Sequence, residues 1–326
     1  MNHELRLEDR SFLEAVLGDG VPLLVFTGLS LILCGAFALF LSITGHFLPH
    51  DVHYLGMTAA DLCSIKQCRI VHFMFHDRVS FGGAIIAIGT LYLWLAMFPL
   101  RQGQAWAWWV FLISGLAGFG SFLAYLGYGY LDRWHGVATL SLLPCFVGGL
   151  VRSYRRLPKP VVLRTLFTPT VSVPWKSSAG IGRACLLFTG VGMISAGLTI
   201  MTVGMTSVFV PQDLNFLGLK PVDLNAINPR LVPLIAHDRA GFGGALCSCG
   251  LIFFFAVWRG TPSRSLWQAL GTAGTVGFGT AIGVHPVIGY VDLVHLAPAI
   301  VGAVAFTTGL SLSFGPAFGR TNSGKF

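Results

Sequence analysis

Long apolar runs separated by short polar stretches set the pattern of this chain. They fall at about 21–47, 71–98, 106–127, 135–152, 183–209, 231–258, 266–287 and 294–314. Several exceed the roughly 18 residues that mark a membrane-crossing helix. Lipid offers no partner to unpaired backbone groups, so the runs are predicted to be helices. The pattern predicts an all-α polytopic membrane protein with eight transmembrane helices. Residues 1–20 are polar and net acidic, with no small-residue cleavage site behind a short apolar core. They are read as an N-terminal segment rather than a signal peptide. The stretch 4–17 is read as a short amphipathic helix on the membrane surface.

Between the fourth and fifth runs lies a connection, 153–182, with Arg155, Arg156, Lys159, Arg164 and Lys176 among several prolines. It divides the chain into two four-helix units, 21–152 and 183–314, with a tail at 315–326. The units match each other in order. Val25-Phe26-Thr27-Gly28 matches Leu187-Phe188-Thr189-Gly190, and Pro49-His50-Asp51 matches Pro211-Gln212-Asp213. His76-Asp77-Arg78, followed by Phe81-Gly82-Gly83-Ala84, matches His237-Asp238-Arg239 with Phe242-Gly243-Gly244-Ala245. Near the end, Gly129-Tyr130-Leu131-Asp132 with His135 matches Gly289-Tyr290-Val291-Asp292 with His295. The expectation is two tandem, parallel four-helix repeats.

Composition agrees with a membrane protein: 54% of residues are hydrophobic, 10% are charged, and 41 are glycine, which suits close helix contacts. The net charge of +8 therefore bears on orientation rather than on nucleic acid, and no nucleic-acid partner is expected. With eight spans, both termini share a side, and that side carries 14 of the 21 Lys and Arg residues. Basic loops stay on the cytoplasmic side. The expected location is the cell (inner) membrane, multi-pass, with both termini and the linker cytoplasmic. The expected partners are the lipid bilayer and other membrane subunits.

The acidic residues sharpen the duplication. After Asp19 there are eight, all Asp, in four matched pairs: Asp51/Asp213, Asp61/Asp223, Asp77/Asp238 and Asp132/Asp292. All are expected at the outer face. There the second span of each unit begins with His76 or His237, and the fourth begins with His135 or His295. A histidine at the outer end of each of two neighbouring helices suits a haem held between them, with His76, His135, His237 and His295 as axial ligands. Arg78 and Arg239 would pair with haem propionates. Alternatively, His72, Asp77, Asp132, Asp238 and Asp292 join the histidines around a divalent metal. A third reading is structural: Arg78–Asp132 and Arg239–Asp292 ion pairs pin the second helix to the fourth, in a non-catalytic subunit of a larger complex.

The units differ in their extra reactive groups. The first alone has His46, His50, His53 and His72, and the pair Cys63 and Cys68 in an outer loop. A local disulfide fits that side of the membrane. A metal site with His50 or His53 is the alternative. The site is accordingly expected mainly in the first unit, while His285, beside Pro286, is read as part of a turn.

This arrangement resembles haem A synthase, whose two four-helix halves each carry a histidine on the second and fourth helices. An outer cysteine pair occurs in its first half. His76, His135, His237, His295, Cys63 and Cys68 fall at comparable places, and the run 70–80 is similar to the family's second helix. Phe73 stands where that family has its catalytic glutamate, and an Asp separates His from Arg. What the resemblance implies is a haem-binding or oxidoreductase-like protein of that architecture.

Overall fold

The computed structural model describes residues 17–128, 133–159, 161–170 and 173–313. The amphipathic stretch expected at 4–17 and the tail fall almost wholly outside these. No strand occurs among the described residues. The helices are α1 (Val21–Ile43), α2 (Pro49–Leu55), α3 (Ala59–Cys63), α4 (Arg69–Leu95), α5 (Ala105–Phe122) and α6 (Arg133–Arg156). After the linker come α7 (Ser178–Met205), α8 (Pro211–Leu217), α9 (Pro221–Ile227), α10 (Leu231–Arg259), α11 (Arg264–Ile288) and α12 (Leu293–Leu312).

Among the described residues, seven helices are long and apolar enough to cross a membrane: α1, α4, α5, α6, α7, α10 and α12. The sequence pattern predicts eight. The difference is α11, whose 25 residues suffice in length but are diluted by Gly and Thr.

Two helices make the centre. In their most apolar windows, α10 is 78% buried and α4 is 61% buried, against 17% to 28% for α1, α6, α7 and α12. The outer helices keep Leu33, Phe37 and Phe40 of α1 and Val301 and Val304 of α12 on the surface, where lipid takes the place of a protein core. Helix α4 packs against α1, α10 and α11; α10 packs against α7, α5 and α4. Each central helix thus touches the third long helix of the other unit.

The Phe-Gly-Gly-Ala stretches explain this packing. A Cβ on Gly82 or Gly35 would press on the facing backbone of α1 or α4, and Gly243 and Gly197 stand in the same relation between α10 and α7. The next glycine opens toward the other unit: a side chain on Gly83 would collide with Thr280 of α11, and one on Gly244 with Ser121 of α5. Small residues let helix backbones approach closely in lipid, where no hydrophobic force drives them together.

The four short helices cap one end of the bundle. Proline at the first turn suits α2, α8 and α9, because that N–H needs no intrahelical partner. In α3, Thr58 and Asp61 cap each other's backbone N–H. The cap is stitched across the units: Arg69 donates to the Phe216 carbonyl at 3.1 Å, and Arg230 donates to the Tyr54 carbonyl. Cys63 and Cys68 form a disulfide within it. An apolar cluster including Leu55, Leu62, Phe73, Leu217, Leu224 and Leu234 fills the space beneath.

Candidate metal centre

Apart from Arg259 at the far end of α10, the charged groups of the central helices lie at this capped end, between apolar layers. Burying charge without partners is prohibitive, and here each guanidinium is matched by two carboxylates. Arg239 Nη1 donates to Asp213 at 2.6 Å and Nε to Asp77 at 3.1 Å. Arg78 Nη1 donates to Asp51 at 2.7 Å and Nε to Asp238 at 2.9 Å. Each arginine therefore ties its own unit's Pro-x-Asp helix to the central helix of the other unit. This corrects the expected Arg239–Asp292 pair. Asp292 instead caps α12, accepting from the His295 N–H at 2.8 Å, and Asp132 lies outside the described residues. The Arg239–Asp292 expectation fails because Arg239 is taken up by its own unit's Asp213 and by Asp77 of the facing central helix.

Asp213 is fully buried and fully employed. One oxygen accepts from the Val210 N–H at 2.8 Å as well as from Arg239; the other accepts from the Tyr290 hydroxyl at 2.8 Å. The segment around Tyr290 explains the Gly-Tyr-x-Asp-x-x-His element. Gly289 ends α11 at φ 76°, a left-handed turn that glycine makes without strain. Tyr290 then reaches back to Asp213, Asp292 starts α12, and His295 sits in its first turn. The Tyr290 phenol, outside the helices, is pushed well above its ordinary pKa by burial and then by the Asp213 carboxylate. It stays protonated and remains a donor.

Three histidines converge on this point. His76 Nε2 and His285 Nε2 are 3.1 Å apart. His295 completes the group, with ring centroids 5.3 Å from His76 and 5.4 Å from His285. One ring nitrogen from each lies within 4.8 Å of the others. His76 and His285 are buried and His295 is half-buried. Phe73 stacks on His76, and Tyr290 stacks on His295 with centroids 4.7 Å apart.

In two of the three rings the remaining nitrogen has a partner that fixes the ring. His76 Nδ1 is 2.9 Å from Asp77 Oδ1. Against a carboxylate held by Arg239, this nitrogen carries the proton and leaves Nε2 with its lone pair. His295 Nδ1 is 3.3 Å from the Tyr290 oxygen. That hydroxyl spends its own proton on Asp213, so it accepts from His295 and leaves the second Nε2 with a lone pair. A carboxylate or hydroxyl behind a ligating histidine is the usual way to set its tautomer.

Sequence reasoning placed His76 and His295 at this end but paired His76 with His135, whose side chain is not among those described. The structure sets His76 against the third and fourth long helices of the other unit, because Gly83 lets α11 pack on α4. It also corrects the reading of His285: α11 runs through Pro286 to Ile288 and presents His285 as a full member of the cluster. The matching position in the first unit is Tyr125, so the repeat gave no signal for it. His72 and Asp238 stand outside the group; Asp238 pairs with Arg78 and with His237 Nδ1 at 3.2 Å. Asp77 acts behind His76 rather than beside it. No family model, curated protein or solved structure matches this chain.

Proposed function

We propose that this is an integral membrane metalloprotein in which His76, His285 and His295 hold a divalent transition metal. The observation that carries the reading is the 3.1 Å separation of two Nε2 atoms whose rings belong to different helices. Two nitrogens on one tetrahedral zinc, with bonds near 2.0–2.1 Å, stand about 3.3 Å apart. Neutral imidazoles without a directly ligating carboxylate suit zinc, copper, iron or nickel better than magnesium or calcium. Bound there, such an ion supplies a Lewis acid with a coordination position left for an exchangeable ligand. Asp77 and Tyr290 orient the ligands, and Arg239 balances the two carboxylates behind them.

The reading extends to the whole chain. Units 21–152 and 183–314 are tandem copies, supported by the reciprocal ion pairs and the paired glycine contacts. Helix α11 is the eighth span; at about 1.5 Å per residue it exceeds the roughly 30 Å of hydrocarbon. The capped end, with the histidines, faces outward, and the basic linker and both termini lie in the cytoplasm, as the charge distribution favours.

Haem is the second reading. It keeps His76 and His295 at one end of the bundle, as a haem between helices requires. Against it, the His76 and His285 rings meet edge to face with centroids 4.6 Å apart, too close for a porphyrin between those two. Elemental analysis of the purified protein, together with its visible spectrum, separates the two. The expected result is one equivalent of transition metal per chain and no Soret band. A Soret band, or metal-free protein that fails to take up zinc, cobalt or copper, would sink the three-histidine centre.

A further inference from the structure

A cavity opens at the capped end between α1, α2, α4 and α10. Together with the open space at its mouth it spans roughly 680 Å³. Its wall is apolar, built from Ala38 and Leu41 of α1 with Leu48, Phe81 and Phe122. Neighbours of the α1 wall residues, Phe37, Phe40 and Ile43, lie exposed on the surface of the bundle. The way in therefore runs along a lipid-facing helix.

The floor is polar and arranged in pairs. His50 Nε2 is 3.4 Å from Asp51, and His237 Nδ1 is 3.2 Å from Asp238. Asp77 and Arg78 complete it. Three carboxylates against one guanidinium repel an anionic head group. They suit a neutral one with ring oxygens, since an imidazole nitrogen accepts from a hydroxyl or, protonated, donates to a carbonyl. Two separate His–Asp pairs match two hydroxyls on one ring, Phe81 and Phe122 give a planar ring apolar surface, and the α1 wall leads a tail into the bilayer.

We propose that this cavity binds the head group of a membrane quinol or its quinone. The site is distinct from the three-histidine cluster and stands whether or not that cluster holds metal. The two share one group: Asp77 walls the cavity and hydrogen-bonds to His76.

The test uses the full chain in lipid nanodiscs, labelled with a short-tailed azido-ubiquinone and mapped by peptide mass spectrometry. Label is expected on the peptides containing Leu48 and Phe81, suppressed about tenfold by excess decylubiquinone. Leu41→Trp, which fills the cavity from α1 and leaves the ion pairs untouched, is expected to lower labelling to the same extent with the melting temperature unchanged. Label scattered along the lipid-facing helices and insensitive to decylubiquinone would overturn the proposal. So would suppression by phosphatidylglycerol in place of the quinone, which would make the cavity a lipid head-group site. If Leu41→Trp fails to fold, competition on the wild-type chain decides alone.

Discussion

The two His-Asp-Arg triplets have the same local geometry and different surroundings. Around His76, the aromatic rings of Phe73, Tyr290, His285 and His295 close in, and the imidazole turns its Nε2 toward another imidazole. Around His237, the same helix position borders an open cavity with Asp51 and His50. The Asp and Arg of each triplet serve the same purpose in both places, which is to neutralise and join the central helices. What differs comes from outside the triplets. Matched residues build the scaffold and much of both corners, and His285, which has no counterpart, sets the His76 corner apart.

The sharpest way to break this contrast is to delete a histidine on each side. His285→Ala is expected to abolish stoichiometric metal, and His237→Ala is expected to leave it at one per chain. Metal content by mass spectrometry on both variants reads this directly. Equal loss in the two would show that the corners are equivalent and that the triplets, not their surroundings, hold the ion.

Next in size is the ion lattice itself. Removing one partner of a buried pair leaves stranded charge, at a cost of about 3–5 kcal/mol. Arg239→Ala strands Asp77 and Asp213; Arg78→Ala strands Asp51 and Asp238. The Arg239 side chain is 6% exposed and that of Arg78 is 13% exposed, beside an open cavity. Water reaches the second set more easily, so Arg239→Ala should be the worse in thermal unfolding in detergent. Equal losses would mean that the cavity is dry and the two lattices are equally sealed.

A smaller effect separates the paired glycines. Gly83→Val drives a side chain into Thr280, and Gly244→Val drives one into Ser121. Overpacking of this kind costs about 1–3 kcal/mol in either case. Only the first pushes α11, and His285 with it, away from α4. Both should melt lower by similar amounts, while metal affinity should fall in Gly83→Val alone. Unchanged affinity there would detach the centre from the α4–α11 contact.

The all-helical architecture and seven of its long apolar helices were legible in the sequence, because apolar periodicity is a local property. The partners of Arg78 and Arg239 were not. They depend on which helix faces which, and matched positions such as Asp77 and Asp238 look the same whether each serves its own unit or the other. The clue was present in the second glycine of Phe-Gly-Gly-Ala, which a contact with α1 or α7 alone does not require. His285 was missed for the opposite reason. It has no counterpart, and counting unpaired histidines drew attention to the first unit, where His46 and His50 instead line the cavity.

The smallest effect tests whether Tyr290 works as a positioning residue or only as packing. Tyr290→Phe keeps the ring that stacks on Phe216 and His295 and removes one oxygen. That oxygen links Asp213 to His295 Nδ1. Without it, His295 loses the partner that holds its proton on Nδ1, and its Nε2 is no longer kept as the ligand. Losing such a supporting hydrogen bond typically weakens metal binding by about 10- to 100-fold; the lower end is expected here, because the ring stays in place. Asp213 keeps Arg239 and the Val210 N–H, so the melting temperature of the metal-free protein should fall only slightly. The matching change in the first unit, Tyr130→Phe, should leave metal affinity alone. Competition titration with a chelating dye measures both variants. A large stability loss without a change in affinity would mean that the hydroxyl braces the cap and has no part in setting the histidine.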